Sequence, residues 1–145
     1  FILGKIDAEA GDAISLLKIE KLVYYCQAWS LALDDEPIFA EQVEAWLHGP
    51  VVRSVWNRFR EYDSRAILPC IRKASSDEAL RKRDKEIIDE VWEAYGHLSG
   101  SQLRYLTHAE EPWKKTREGI PSDAGSNREI KSALMRDFYR ARLAQ

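Results

Sequence analysis

The chain has 145 residues, 45% apolar and 32% charged, the balance of one globular domain that buries a core without metal or disulfide. Its 22 basic and 24 acidic side chains give a net charge of −2, which excludes the strong basic excess of a general polyanion binder. No apolar run approaches the ~20 residues needed to span a bilayer, so no membrane partner is expected.

Taken in order, Phe1 to Ala10 reads as the end of a helix closed by Gly11-Asp12. The strongest periodic segment follows, with Ile19, Leu22, Val23, Cys26, Trp29 and Leu33 at helical steps. Ser15 is its expected N-cap, and Asp34-Asp35-Glu36-Pro37 ends it, because proline disfavours helical geometry in the preceding residue. Ile38 to Trp46 fits either a short strand or a helical turn. Pro50 is placed to open a helix over Val51 to Tyr62, with Val52, Val55, Trp56 and Phe59 inward. Ala66 to Ser75 reads as a loop containing Pro69.

Three Ser-x-x-Glu/Gln patterns then read as capping boxes. Ser75 and Glu78 open a helix carrying Leu80, Ile87, Ile88, Val91, Trp92 and Tyr95 on one side and ending at Gly96. Ser99 and Gln102 open a short helix from Gly100 to His108, and Pro112-Trp113 starts another turn. Ser126 and Glu129 open a last helix to about Arg142, with Ile130, Leu134, Phe138 and Ala141 inward. The expected fold is all-α: one domain over residues 1–145, a compact bundle of about six helices with at most a small β element.

The charge is unevenly spread. Asp34, Asp35, Glu36, Glu41 and Glu44 form an acidic stretch, and Arg53, Arg58, Arg60, Arg65, Arg72 and Lys73 outweigh Glu61 and Asp63 in the next. These are either a solvated surface or a pair of patches that orient a partner. Cys26 lies on an apolar helix face, where a thiol behaves as a small hydrophobe, and Cys70 has no Cys-x-x-Cys companion. Reduced thiols and a cytoplasmic location are expected.

The usual catalytic patterns are missing: GxxxxGK, GxGxxG, HExxH and GxSxG do not occur. No catalytic residue, metal or cofactor is expected. His108 beside Glu110 and Glu111 is the one grouping that invites acid–base chemistry, yet it completes no metal-ligand set. Five tryptophans stand out, of which Trp29, Trp56 and Trp92 fall in helical apolar patterns. Trp46 and Trp113 lie at element ends beside Gly49-Pro50 and Pro112. Each indole is either pinned by its own N–H bond or left partly exposed as a binding anchor.

The run Leu17-Lys18-Ile19-Glu20-Lys21-Leu22-Val23-Tyr24-Tyr25-Cys26-Gln27-Ala28-Trp29 closely resembles the opening signature of the Panacea (SocA-like, phage-associated) antitoxin domain family. Further blocks in the family's order are Pro37-Ile38-Phe39, Ala45-Trp46, Gly49-Pro50-Val51, Tyr95-Gly96, Leu103-Arg104-Tyr105-Leu106-Thr107-His108 and Pro112-Trp113. The resemblance covers about residues 13–140. It departs at Glu20, where the family usually has Gln, and at Cys26, where Ala is common. It implies a non-enzymatic antitoxin that binds and blocks a neighbouring toxin, with delivery of toxin to the ClpXP protease known in one branch. The candidate partner-binding residues are Trp46, His48, Gly49, Pro50, Val51, Thr107, His108 and Trp113. The Trp46–Val51 corner and the Thr107–Trp113 block are expected to pack together. The alternative is a DNA-binding transcriptional regulator with Gly96 to His108 as the turn and second helix of a helix-turn-helix. Nucleic acid is disfavoured, since that segment holds one basic residue, Arg104, and Arg136 and Arg140 of the last helix are the better basic candidates.

Overall fold

In the computed structural model, which describes residues 1–5, 14–62 and 79–143, the chain is arranged around one central helix, α1, Leu16–Asp34. Ser15 caps it as expected: its hydroxyl accepts from the Lys18 N–H at 3.1 Å, satisfying a free donor of the first turn. At the other end Asp35 takes a left-handed conformation (φ 57°) and its N–H returns to the Leu31 carbonyl at 2.9 Å. One apolar stripe does not describe this helix. Beyond Ile19, Leu22 and Cys26, it buries Tyr24, Tyr25, Ala28, Leu31 and Ala32, together with Glu20, Lys21, Gln27 and Ser30. A helix covered on most sides is an axis on which other elements pack.

Those elements are α3 (Lys82–Tyr95), α4 (Gly100–Ala109) and α6 (Ser132–Leu143), with α2 (Arg53–Phe59), α5 (Glu111–Thr116) and a small antiparallel sheet. The sheet has the order β2-β1-β3, from β1 (Val43–Trp46), β2 (Gly49–Val52) and β3 (Glu129–Ile130). Among the described residues, six α-helices and a three-stranded sheet match the expected mainly helical bundle. Ile2–Lys5 is a short 3-10 turn, and the closure expected at Gly11-Asp12 lies outside the described residues. So do the loop at 66–75, Cys70 and the Ser75–Glu78 capping box.

Several local expectations are corrected. Gly49-Pro50-Val51-Val52 is strand β2, paired with β1 in the register Trp46↔Gly49 to Val43↔Val52, and α2 begins only at Arg53. Proline is tolerated because β2 is an edge strand, and the two valines favour a pleated surface. The Ser126–Glu129 box does not form. The Ser126 hydroxyl accepts from Arg128 N–H, Glu129–Ile130 pairs with Val43 and Glu44, and α6 starts at Ser132. Its buried positions are Met135 and Tyr139, while Leu134 and Phe138 are half-buried and Ala141 is exposed. The Ser99–Gln102 box does form: Gln102 N–H donates to the Ser99 hydroxyl at 3.1 Å and Ser99 N–H to Gln102 Oε1 at 2.8 Å.

The acidic stretch after α1 is partnered from distant elements. Asp34 pairs with Arg83, Asp35 with Arg136, Glu36 with Arg81 and Glu44 with Arg53. Three of these pairs hold the end of α1 and the residues after it to the start of α3 and to α6, and the fourth joins β1 to α2. Among the described residues no helix is long and apolar enough to cross a membrane.

Candidate functional site

The β1–β2 hairpin reverses over Leu47 and His48, and Gly49 closes the turn at φ +113°. A Cβ at Gly49 would lie 2.7 Å from Lys21 Cε and 3.0 Å from Thr107 Oγ1, so the turn is seated on the seam between α1 and α4. Lys21 holds it there: its ammonium donates to the Pro50 carbonyl at 3.1 Å. Lys21 is 0% exposed, and burial pushes its pKa down to about 8, with Arg104 acting in the same direction and adjacent Glu20 opposing. Glu20 is itself buried, and desolvation raises its carboxyl above the ordinary value.

The two blocks named from the sequence meet. Trp113 Nε1 donates to the Trp46 carbonyl at 2.8 Å, joining α5 to the end of β1 across 67 residues of chain. The Trp46 indole N–H donates to Glu44 Oε1 at 2.9 Å, so both indoles are pinned by their own N–H bonds while remaining half-buried. His108 lies flat on Trp113, and Arg117 sits against the same indole, its guanidinium 5.0 Å from the ring centre. Arg117 also donates to the Ala45 carbonyl at 3.1 Å and to the carbonyls of Pro121 and Ala124, clamping the 121–124 turn onto β1. Of the eight candidates, His48 is exposed, Trp46, His108 and Trp113 are half-buried, and Gly49, Pro50, Val51 and Thr107 are buried beneath them.

Beside this corner is an open cleft of about 440 Å³ between α1, the hairpin turn, α2 and α4. Its walls are Leu16, Leu17, Trp46, Leu47 and Trp56, with Glu20, Lys21, His48 and Arg104 supplying the polar groups. The Trp46 and Trp56 rings meet edge to face, 5.3 Å between centroids. His48 and His108 are both held below the ordinary imidazole range, first by burial and then by the cations of Arg104 and Lys21.

Composition and spacing did not single out Lys21, Glu20, Arg104 or Tyr105. A signal for Lys21 exists: it sits within a second helical stripe, Leu17, Tyr24, Tyr25 and Ala28, so that face had to be covered. Tyr105, the most exposed large hydrophobic side chain among the described residues at 79%, follows Arg104 on α4.

Glu110 does not join His108 in an acid–base pair. Its Oε1 accepts from the Tyr25 hydroxyl at 2.6 Å and the Tyr139 hydroxyl at 2.9 Å, inside a buried cluster completed by Tyr24 and by Tyr95, which stacks on Tyr25. Glu111 is exposed. Among the described residues no three His, Cys, Asp or Glu side chains converge on a metal-sized site. The basic residues of α6 are engaged within the fold: Arg136 pairs with Asp35 and Asp137, and Arg140 donates to the Ala32 and Leu31 carbonyls.

Residues 19–114, which take in most of the central helix, the hairpin corner, α4 and the start of α5, match the family described as Antitoxin SocA-like, Panacea domain. The chain is also similar to Antitoxin SocA of Caulobacter vibrioides (strain NA1000 / CB15N), 28% identical over 136 residues that cover 88% of this chain and 72% of that protein. No solved structure matches it with significance. The chain therefore belongs to the SocA-like Panacea antitoxin domain family.

Proposed function

We propose that this protein is an antitoxin that neutralises its toxin by gripping it directly, with the hairpin corner as the gripping surface and no chemistry of its own. The observation that carries the reading is the family match across residues 19–114, which takes in every candidate residue of the corner. The corner supports it physically. Trp46, Trp113 and Arg104 are the residue types that dominate binding energy at protein interfaces. The buried residues Gly49, Pro50, Val51 and Thr107 hold the hairpin rigid beneath the exposed turn, which limits the ordering cost of association.

Co-expression with the toxin encoded beside it tests the reading. A stable co-purifying complex and restored growth are expected, and absence of both would reject it. Delivery to ClpXP would add proteolysis to the same grip. Toxin lifetime in cells with and without ClpX separates the two modes: a blocked toxin persists in both, a delivered one persists only without ClpX. Action in the cytoplasm is part of this proposal and agrees with Cys26 being a buried free thiol.

A further inference from the structure

We propose that the cleft beside the hairpin turn receives an acidic segment of the toxin, one carboxylate pairing with Arg104 while adjoining apolar side chains pack on Trp46, Leu47 and Trp56. This rests on the toxin-binding reading above and names the chemistry of the partner segment.

The first ground is Arg104 itself. Among the described residues nothing donates to, accepts from or pairs with its guanidinium. Most other described arginines are engaged: Arg53, Arg81, Arg83, Arg136 and Arg142 face carboxylates, Arg117, Arg128 and Arg140 donate to backbone carbonyls, and Arg58 and Arg60 lie over the rings of Phe59 and Trp56. A half-buried guanidinium without a partner, at the wall of a cleft, is a bidentate donor waiting for a planar acceptor.

The second ground is the charge around the opening. Lys21 and Arg104 line the cleft, while Arg53 and Arg60 lie over its two indoles at 5.6 Å and 5.3 Å. Against these four cations stand two acids, Glu20 at the cleft and Glu44 already paired with Arg53. The suppressed basicity of His48 and His108 reports the same positive field.

The third ground is the shape of the walls. Leu16, Leu17, Leu47 and the two indoles fit apolar side chains flanking an acidic one, the mixture that peptide segments present and a sugar-phosphate backbone does not. One unpaired guanidinium satisfies one carboxylate, whereas a nucleic-acid backbone demands several phosphate contacts.

The test is calorimetric titration of the purified chain with purified toxin, for the wild type and for Arg104→Ala, Arg104→Lys and Arg104→Glu, with thermal unfolding of each. Among the described residues the Arg104 guanidinium makes no hydrogen bond or ion pair, so all four should remain folded. The expected result is about tenfold weaker binding for Arg104→Ala, a larger loss for Arg104→Glu, and an intermediate one for Arg104→Lys, which keeps the charge but not the fork. A Glu→Arg or Asp→Arg change in the toxin should restore binding to Arg104→Glu at one position. If the wild type binds toxin and all three variants bind within twofold of it, the cleft proposal is overturned while the antitoxin reading stands. If the wild type does not bind, the antitoxin reading fails first. Displacement of toxin by a DNA duplex in an Arg104-dependent way would assign the cleft to phosphates and also overturn the proposal.

Discussion

The imidazole of His108 lies flat against the indole of Trp113, ring centroids 3.9 Å apart and planes 7° from parallel, with Nε2 buried and lacking any hydrogen-bond partner. A charged imidazolium there would leave an N–H donor unsatisfied amid the cations of Arg104, Lys21 and Arg117, and the pKa is pushed down to about 4. The folded state therefore binds this proton less readily than the unfolded chain. Stability tied to His108 is fully present above about 6.5 and is lost as pH falls from there toward 4. An NMR titration should find His108 neutral at pH 5.5 while unfolded chain titrates near the ordinary ~6.5. His108→Gln should unfold with a weaker acid dependence than wild type. A midpoint near 6.5 in the folded protein would contradict the stacked ring with its buried Nε2.

Trp113→Phe keeps the aromatic surface but removes the Nε1 donor to Trp46 O. With that donor lost and the Trp46 carbonyl still paired across the Trp46↔Gly49 turn, the expected loss of stability is about 0.5–1.5 kcal/mol, measured by denaturant unfolding. Trp113→Ala should cost more, about 3–5 kcal/mol in the manner of large core truncations, discounted because the ring is half-buried. A neutral Trp113→Phe would mean that this bond does not join α5 to β1.

Two glycines give a matched comparison. Gly49 and Gly119 both have positive φ, +113° and +85°, but an added Cβ meets Lys21 and Thr107 at the first and nothing within 4 Å at the second. Gly119→Ala should show only the backbone cost, roughly 1 kcal/mol, and Gly49→Ala that cost plus displacement of Lys21 from the Pro50 carbonyl. Equal losses in thermal unfolding would show that the hairpin turn is not seated on α1.

The tyrosine cluster makes a separate prediction about the core. Tyr25→Phe deletes one of two hydroxyls donating to Glu110 Oε1, leaving a buried carboxylate under-satisfied, and should destabilise by about 1–3 kcal/mol. Glu110→Gln keeps an oxygen for both hydroxyls and removes the buried charge, so its cost should be smaller near neutral pH. Burial raises the Glu110 carboxyl above its ordinary value. The folded state therefore takes up this proton first, and wild type should gain on Glu110→Gln as pH falls toward about 4.5.

What could be read from the sequence was what short-range chemistry decides. The Ser15 cap, the Ser99–Gln102 box and the stop at Gly96 each depend on atoms within a few residues, and all three form. Strand β3 could not be read, because two residues carry no periodicity and Glu129–Ile130 become a strand only when Val43 and Glu44 lie alongside. Gly49-Pro50 is a legitimate helix opening in isolation, and pairing with β1 overrides it. The inward face of α6 is only partly legible: Phe138 packs against the core as expected, but the buried positions are Met135 and Tyr139, and the Tyr139 hydroxyl has its partners, Tyr24 and Glu110, 115 and 29 residues away. At the corner, the irregular aromatic blocks announced themselves, but Lys21 and Arg104 look like ordinary helix-surface charges until α4 and the hairpin are brought against α1.

Direct neutralisation is tested most simply by titrating purified toxin into the purified chain, with no protease, nucleic acid or other protein present, alongside growth of cells carrying the same pair. A saturable complex whose affinity falls in variants that also lose growth protection is the expected result. Full protection in cells, with no measurable association between the two pure proteins, would contradict it.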